Sequence, residues 1–435
     1  MSAPAPTPVA ADASADAARD LLIELLQLHG AGEVAARFWD GSTWPVGDAG
    51  AARCTLVLKQ AGAVRAILTS RDDGAVGEAY AADLFDIEGD IDAALAFGER
   101  LLAREWSAGE WLGLAWRARR LPRAASDGAA APRPRLRGRR HTLERDRAAV
   151  RHHYDVANQF YALWLDRRMV YTCAYFAAAD EDLDSAQLRK LDYVCRKLRL
   201  EPGERLLDIG CGWGSLLLHA AAEYGVDAHG ITLSEAQASL ARERIREAGL
   251  DARCTVEIRD YRELEGVEAY DKIASIGMFE HVGERRMGEF FRRAWAALRP
   301  GGVFLNHAIA GNPRTAGRDS VFSRRHVFPD HDIIPLATTL RGAEAAGFEV
   351  RDVESLREHY ALTLRHWVRR LEAQHDEAAR AAGESTYRAW RLVLAGAARR
   401  FDSRELSVYQ TLLAKPRPGG AAGLPLTRED WYHAG

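Results

Sequence analysis

The run LLDIGCGWG at residues 206–214 limits the fold more than any other stretch, because apolar residues lead into an acid, Asp208, and then into alternate glycines, Gly210, Gly212 and Gly214. That pattern marks the carboxyl end of a buried strand. Glycine there lets the backbone turn sharply and approach a ligand closely, since no Cβ stands in the way. The spacing D-x-G-x-G-x-G differs from the dinucleotide fingerprint G-x-G-x-x-G. Asp208 is placed either to orient the loop or to meet a cationic group of a ligand.

From residue 153 onward short β-like runs alternate with helical ones. RLLDIG, VDAHGITL, RCTVEIRD, DKIASIG, GVFLNHAI, FEVRDVESL and LSVYQTLLAK give seven strands, and segments such as SLLLHAAAEY and EAQASLARERIREAG have helical period. This order predicts an α/β fold with a mostly parallel sheet covered on both faces, its ligands outside the carboxyl ends of the strands. The glycines after Arg299 and Pro300 predict a turn before the fifth strand.

A chain of 435 residues exceeds the usual size of one domain. Residues 1–18, rich in Ala, Pro and Ser, are expected to be disordered. A smaller first domain is expected over 19–121, with an amphipathic start (DLLIELLQL), a strand at CTLVLKQ and a helix from Asp92 to Trp111. A linker over 122–150, a second domain over 151–418 and a tail over 419–435 complete the division. The five cysteines (Cys54, Cys173, Cys195, Cys211, Cys254) are odd in number and lack C-x-x-C pairing, which argues against a disulfide framework or a zinc site and for a reducing cytoplasm. No leader pattern occurs and no run approaches the roughly 20 apolar residues that span a bilayer, so the chain is not expected to be integral to a membrane. Net charge is −3, yet twelve arginines between Arg117 and Arg151 face only Asp127, Glu144 and Asp146, a local +9. This reads either as a patch facing an anionic surface or as a solvated, arginine-biased linker, and not as a uniformly basic nucleic-acid binder.

The Gly-rich loop resembles motif I of class I S-adenosylmethionine-dependent methyltransferases. With it, in order, stand HYDVANQFYALWLDRRMVYTCAYF (153–176), GITLSEAQ (230–237), GMFEHVG (277–283), NHAI (306–309), HYALTLRHW (359–367) and VYQTLLAKP (408–416). Together they resemble the cyclopropane-fatty-acyl-phospholipid synthase family, the YTCAYF and FEHVG pair being the most restrictive. FDIEGDIDAALAF (85–97) is similar to the end of that family's N-terminal lipid-associated domain. The resemblance implies a Rossmann-like seven-stranded methyltransferase sheet with a smaller N-terminal α+β domain. It implies transfer of a methyl group from S-adenosylmethionine to the cis double bond of an unsaturated phospholipid acyl chain, followed by deprotonation of a carbocation by bound bicarbonate to close the ring. It also implies a cytoplasmic enzyme peripherally attached to the inner face of the membrane, and allows a homodimer.

Residue by residue, the bicarbonate cradle of the family matches Cys173, Glu280, His307, Ile309 and Tyr360, with Tyr154 a further active-site aromatic. Glu280 would hold the anion and His307 would donate to it. Tyr171 and Thr172 match contacts to the methionine end of the cofactor. Asp208, Gly210, Cys211, Gly212, Trp213 and Gly214 match its cradle, Thr232, Leu233, Ser234 and Gln237 its ribose and adenine contacts, and Tyr261, Arg262 and Ile276 further cofactor positions. The second strand ends without the ribose-binding acid common in class I enzymes, leaving Gln237 or Glu235 for that role. A cysteine of some family members is replaced by Ala397, so that thiol is not required here. His281, Trp367 and Trp390 are read as structural. Methyl branching without ring closure, small-molecule N-methylation and non-catalytic lipid binding remain as alternatives.

Overall fold

The computed structural model describes residues 13–29, 32–45, 52–69, 72–124, 138–154, 158–314 and 320–432, with only the backbone at 150–154. It contains two compact units, one of residues 1–132, 320–326 and 384–396, the other of 133–319, 327–383 and 397–435.

The first unit opens with a helix, Ala13–His29, whose buried Ala18, Leu21, Leu22, Leu25 and Leu26 follow helical spacing. Ala13 to Ala18, expected to be disordered, are therefore the first turns of an amphipathic helix. Four strands, β1 (Val34–Arg37), β2 (Thr43–Trp44), β3 (Cys54–Leu58) and β4 (Phe85–Gly89), form a sheet in the order β2-β1-β3-β4. The helix expected from Asp92 to Trp111 is two helices, Ile91–Ala103 and Ala108–Arg120. Ser107 separates them: its hydroxyl accepts from the Glu110 N–H while the Glu110 carboxylate accepts from the Ser107 N–H, and this reciprocal cap starts a new helix. Two later segments complete the unit. Phe322, in the helix Val321–His326, fills the space over Gly77, where a Cβ would lie 2.5 Å from the ring. Arg388, in the helix Glu384–Asp402, is buried against Asp83 (2.8 Å), Asp86 (2.7 Å) and the carbonyls of Tyr80 and Phe85. The unit is thus discontinuous in sequence, unlike the expected 19–121 domain.

The second unit holds all seven expected strands: β5 (Arg205–Ile209), β6 (Asp227–Thr232), β7 (Cys254–Ile258), β8 (Tyr270–Ile276), β9 (Leu298–Gly311), β10 (Glu349–Ser355) and β11 (Leu406–Ala414). Their order is β10-β11-β9-β8-β5-β6-β7, with β11 antiparallel to both neighbours. Alternate residues serve opposite faces: Leu206, Ala228, Val256 and Leu305 pack in one core, Leu207, Ile231, Ile273 and Phe304 in the other. The turn expected before the fifth strand is a bulge inside β9, since Leu298 pairs with Tyr270 while Val303 pairs with Lys272. Residues 143–150 of the expected linker lie in a helix, Leu143–Tyr154, where Arg145 binds Asp330 and Arg147 binds Glu263 at 3.1 Å. Arg140 also reaches Asp330, at 3.3 Å. Part of the local positive charge is therefore paired, while Arg133, Arg135 and Arg137 lie outside the described residues. Among the described residues no helix is long and apolar enough to cross a membrane.

Candidate active site

A cavity opens at the carboxyl ends of β5, β6 and β8, where parallel strands leave their last peptide groups and following loops facing outward. Its floor is the loop Asp208–Trp213. Gly210 takes φ +88°, and a Cβ there would lie 2.7 Å from the Met278 side chain, so the loop can take this path only as glycine. Thr232, Leu233 and Gln237 line the second side, Tyr261, Arg262 and Ile276 the third, and Tyr171 and Thr172 close it. These are the positions expected to hold the cofactor. Two others are not brought to the cavity. Ser234 is fully buried and caps the helix Glu235–Glu247 by accepting from the Gln237 N–H; Gly214, at φ +80°, starts the helix Ser215–Tyr224 and faces Ala241.

Electrostatics sharpens the cavity. Burial pushes the Asp208 carboxyl up to about 7, with Lys190 pulling the other way. Arg262 is fixed by Asp260 through two hydrogen bonds of 2.7 Å and by Asp146 at 3.0 Å, so its guanidinium presents a set plane beside Tyr261. His281, read as structural, lines the cavity as well, and burial lowers it to about 4, which keeps its imidazole neutral.

The residues expected to form an anion cradle are connected through the adjoining strands β8, β9 and β11. Glu280 follows β8 in a short helical turn, Phe279–His281, and its Oε1 accepts from the Ile309 N–H at 2.7 Å. His307 and Ile309 share one face of β9, being two residues apart. Ile309 pairs with Val408 of β11, and the Val408 carbonyl accepts from the Leu356 N–H. The Leu356 carbonyl in turn accepts from the Tyr360 N–H at 3.0 Å and from the Cys173 thiol at 3.7 Å. One backbone relay therefore links Glu280, Ile309, Tyr360 and Cys173. Burial raises the Cys173 thiol far above its ordinary range, so it is a neutral donor rather than a thiolate nucleophile. Burial also raises Glu280 to about 7 and keeps His307 neutral. Glu280 Oε2 and His307 Nε2 are buried without a hydrogen-bond partner. Two unsatisfied buried polar atoms, one on the turn after β8 and one on the adjoining β9, leave an acceptor and a ring nitrogen for a small polar group to meet.

Aromatic rings join the two halves. Tyr171 lies 5.2 Å from Trp367, which lies 6.0 Å from Tyr360, itself 4.7 Å from Phe401. Trp367 is fully buried packing, as read, but it packs between a cofactor residue and a cradle residue. Tyr154 ends its helix, and its side chain lies outside the described residues. Sequence reasoning missed Lys190, Asp260 and Asp146 on the cavity wall, and Gln410, whose amide meets His307 Nδ1 at 3.3 Å. A signal existed for Lys190: it interrupts the apolar stripe formed by Ala186, Leu191, Val194 and Leu198.

Comparison with known proteins gives a consistent picture. The family described as Mycolic acid cyclopropane synthetase matches residues 141–411. A probable fatty acid methyltransferase of Pseudomonas putida is 38% identical over 400 residues, covering 91% of this chain and 95% of its own. The cyclopropane-fatty-acyl-phospholipid synthase of Escherichia coli (strain K12) is 35% identical over 263 residues, 60% of this chain and 66% of its own. Among solved structures, the mycolic acid cyclopropane synthase CmaA1 complexed with SAH and CTAB superposes with a TM-score of 0.58 at 33% identity, covering 61% of this chain and 97% of that one.

Proposed function

The chain belongs to the mycolic acid cyclopropane synthetase family and is an S-adenosylmethionine-dependent methyltransferase, and from that premise we propose that it converts cis double bonds of unsaturated phospholipid acyl chains into cyclopropane rings. The observation that carries this reading is the pair of unpartnered polar atoms, Glu280 Oε2 and His307 Nε2, buried on the turn after β8 and on the adjoining β9.

S-adenosylmethionine, when bound, supplies an electrophilic methyl group. Asp208 would receive the cofactor's ammonium group, and the glycine loop would let a bound ligand approach its peptide groups closely. An alkene is a weak nucleophile, so the aromatic wall of buried Trp367 and half-buried Tyr171 and Tyr360 has to exclude water while methyl transfer leaves a carbocation on the acyl chain. Aromatic faces stabilise such a cation by roughly 0.5 to 2 kcal/mol per contact. Bicarbonate, held by Glu280, His307, Cys173, Tyr360 and the Ile309 peptide, would supply the base that takes the ring-closing proton. Glu280 would orient that base through the oxyanion's O–H, and His307, kept neutral by burial, would donate from Nε2. Peripheral attachment to an anionic leaflet through the arginine-rich segment completes the proposal.

The Pseudomonas putida relative is called a fatty acid methyltransferase, which favours methyl branching as a second reading. Mass spectrometry of lipids from cells expressing the chain decides between them. Ring closure predicts acyl chains heavier by one methylene that resist hydrogenation and co-elute with cyclopropane standards. Co-elution with branched standards supports the second reading, and unchanged lipids exclude both. With purified enzyme, rates in carbonate-free buffer should fall and recover on adding bicarbonate; equal rates with and without it would place the base on a side chain.

A further inference from the structure

Lys190 projects from the buried face of the helix Leu183–Leu198, only 1% exposed, and its Nζ donates to Thr172 Oγ1 at 3.0 Å. One turn earlier on the same helix, Gln187 donates to the carbonyls of Thr172 (2.8 Å) and Val170 (3.3 Å). The helix therefore grips the segment that carries Tyr171 and Thr172 into the cavity. An ammonium in so closed a place is costly unless its charge is used.

The groups whose charge acts on Lys190 come from four places: Asp166 before the gripped segment, Cys173 after it, Asp208 at the end of β5, and Cys195 on its own helix. His307 of β9 also feels its charge. Asp166 is already occupied, accepting from the backbone N–H groups of Arg168 (2.9 Å) and Val170 (2.8 Å). The cysteines are neutral. Asp208 is different, because it lines the cofactor cavity together with Lys190 and Thr172, and Lys190 is the charge that acts on it.

We propose that Lys190 is a positioning residue of the methyl-transfer site, whose buried ammonium holds Thr172 at the cavity wall and maintains Asp208 as the anion that receives the cofactor's ammonium group. The inference rests on the cavity being the S-adenosylmethionine site. Lys190 touches neither the sulfonium nor the acyl chain; it acts through its two neighbours.

Calorimetric binding of S-adenosylhomocysteine to the full chain tests it, between about pH 5.5 and about pH 7.5 in the parent, below the value of about 8 to which burial lowers Lys190, and up to about pH 9 in variants that lack the lysine. In the parent protein affinity should rise with pH as Asp208 ionises, with a midpoint near the value of about 7 that its burial sets. Lys190→Met and Lys190→Gln should move that midpoint up by about one unit or more and weaken binding at neutral pH by about tenfold. Thr172→Val should weaken binding at every pH without moving the midpoint. A uniform loss in the Lys190 variants with the parent's midpoint would overturn the proposal. If those variants do not fold, Asp208→Asn carries the test, since an acid limb that persists in it also overturns the assignment. Failure of the parent to bind S-adenosylhomocysteine at any pH would instead refute the reading of the site itself.

Discussion

Glu280 shows how one residue trades stability for chemistry. Burial raises its carboxyl to about 7 from an ordinary 4.5, against the opposing pull of the Ile309 N–H. Between those values the folded chain keeps a proton that the unfolded chain has released. Stability contributed at this position is therefore full at low pH and declines as pH rises to about 7, by on the order of 3 kcal/mol. Glu280→Gln keeps an acceptor for the Ile309 N–H and removes the charge. The variant should melt higher than the parent at pH 8 and equally at pH 4, when scanned without ligand, and should lose most turnover while keeping S-adenosylhomocysteine affinity. An unchanged melting difference across pH would remove burial of the carboxylate as its cause.

At the scale of elements, the site depends on how closely β8 approaches the segment before the sheet. Gly277, just past β8, takes φ +69°, donates its N–H to the His307 carbonyl at 2.9 Å, and would place a Cβ 2.7 Å from Thr172 Cγ2. Gly277→Ala brings left-handed strain of roughly 1 to 2 kcal/mol and pushes Thr172 from the cavity wall. Cofactor affinity should fall by about tenfold or more, with the far-ultraviolet spectrum unchanged. Parent-like affinity would mean that Thr172 can move without consequence. The seven strands were legible because buried parallel strands read as apolar runs bounded by glycine and helical period. The break at Ser107 was not, because apolar spacing runs on across it and only the capping pair Ser107 and Glu110 marks the new start.

At the scale of the whole molecule, the first unit borrows chain from far along the sequence. Arg388 brings one buried guanidinium to three acids, Asp83, Asp86 and Glu384, and two carbonyls, so its loss leaves Asp83 and Asp86 without this cation. Breaking a buried pair of this kind costs about 3 to 5 kcal/mol, less here because the acids are partly exposed. Arg388→Met should raise hydrogen exchange in β3 and β4 while β5 and β8 keep the parent's protection. Equal protection in both units would show that segment 384–396 is an ornament of the first unit rather than part of its fold.

Sequence by itself determined the sheet and the loop at Asp208, because those features depend on local rules, period along a strand and glycine where the backbone must turn, whereas the rest of the cavity wall came from the family resemblance. Family resemblance added the cradle residues Cys173, Glu280, His307, Ile309 and Tyr360. Only the tertiary structure decided which polar atoms are left unpaired, that Lys190 and Asp208 line one cavity, that Gln410 meets His307, and that Ser234 is spent as a cap. These follow from distances between residues far apart in the chain and from burial, which sets charge states through desolvation. No pattern along the sequence encodes either one.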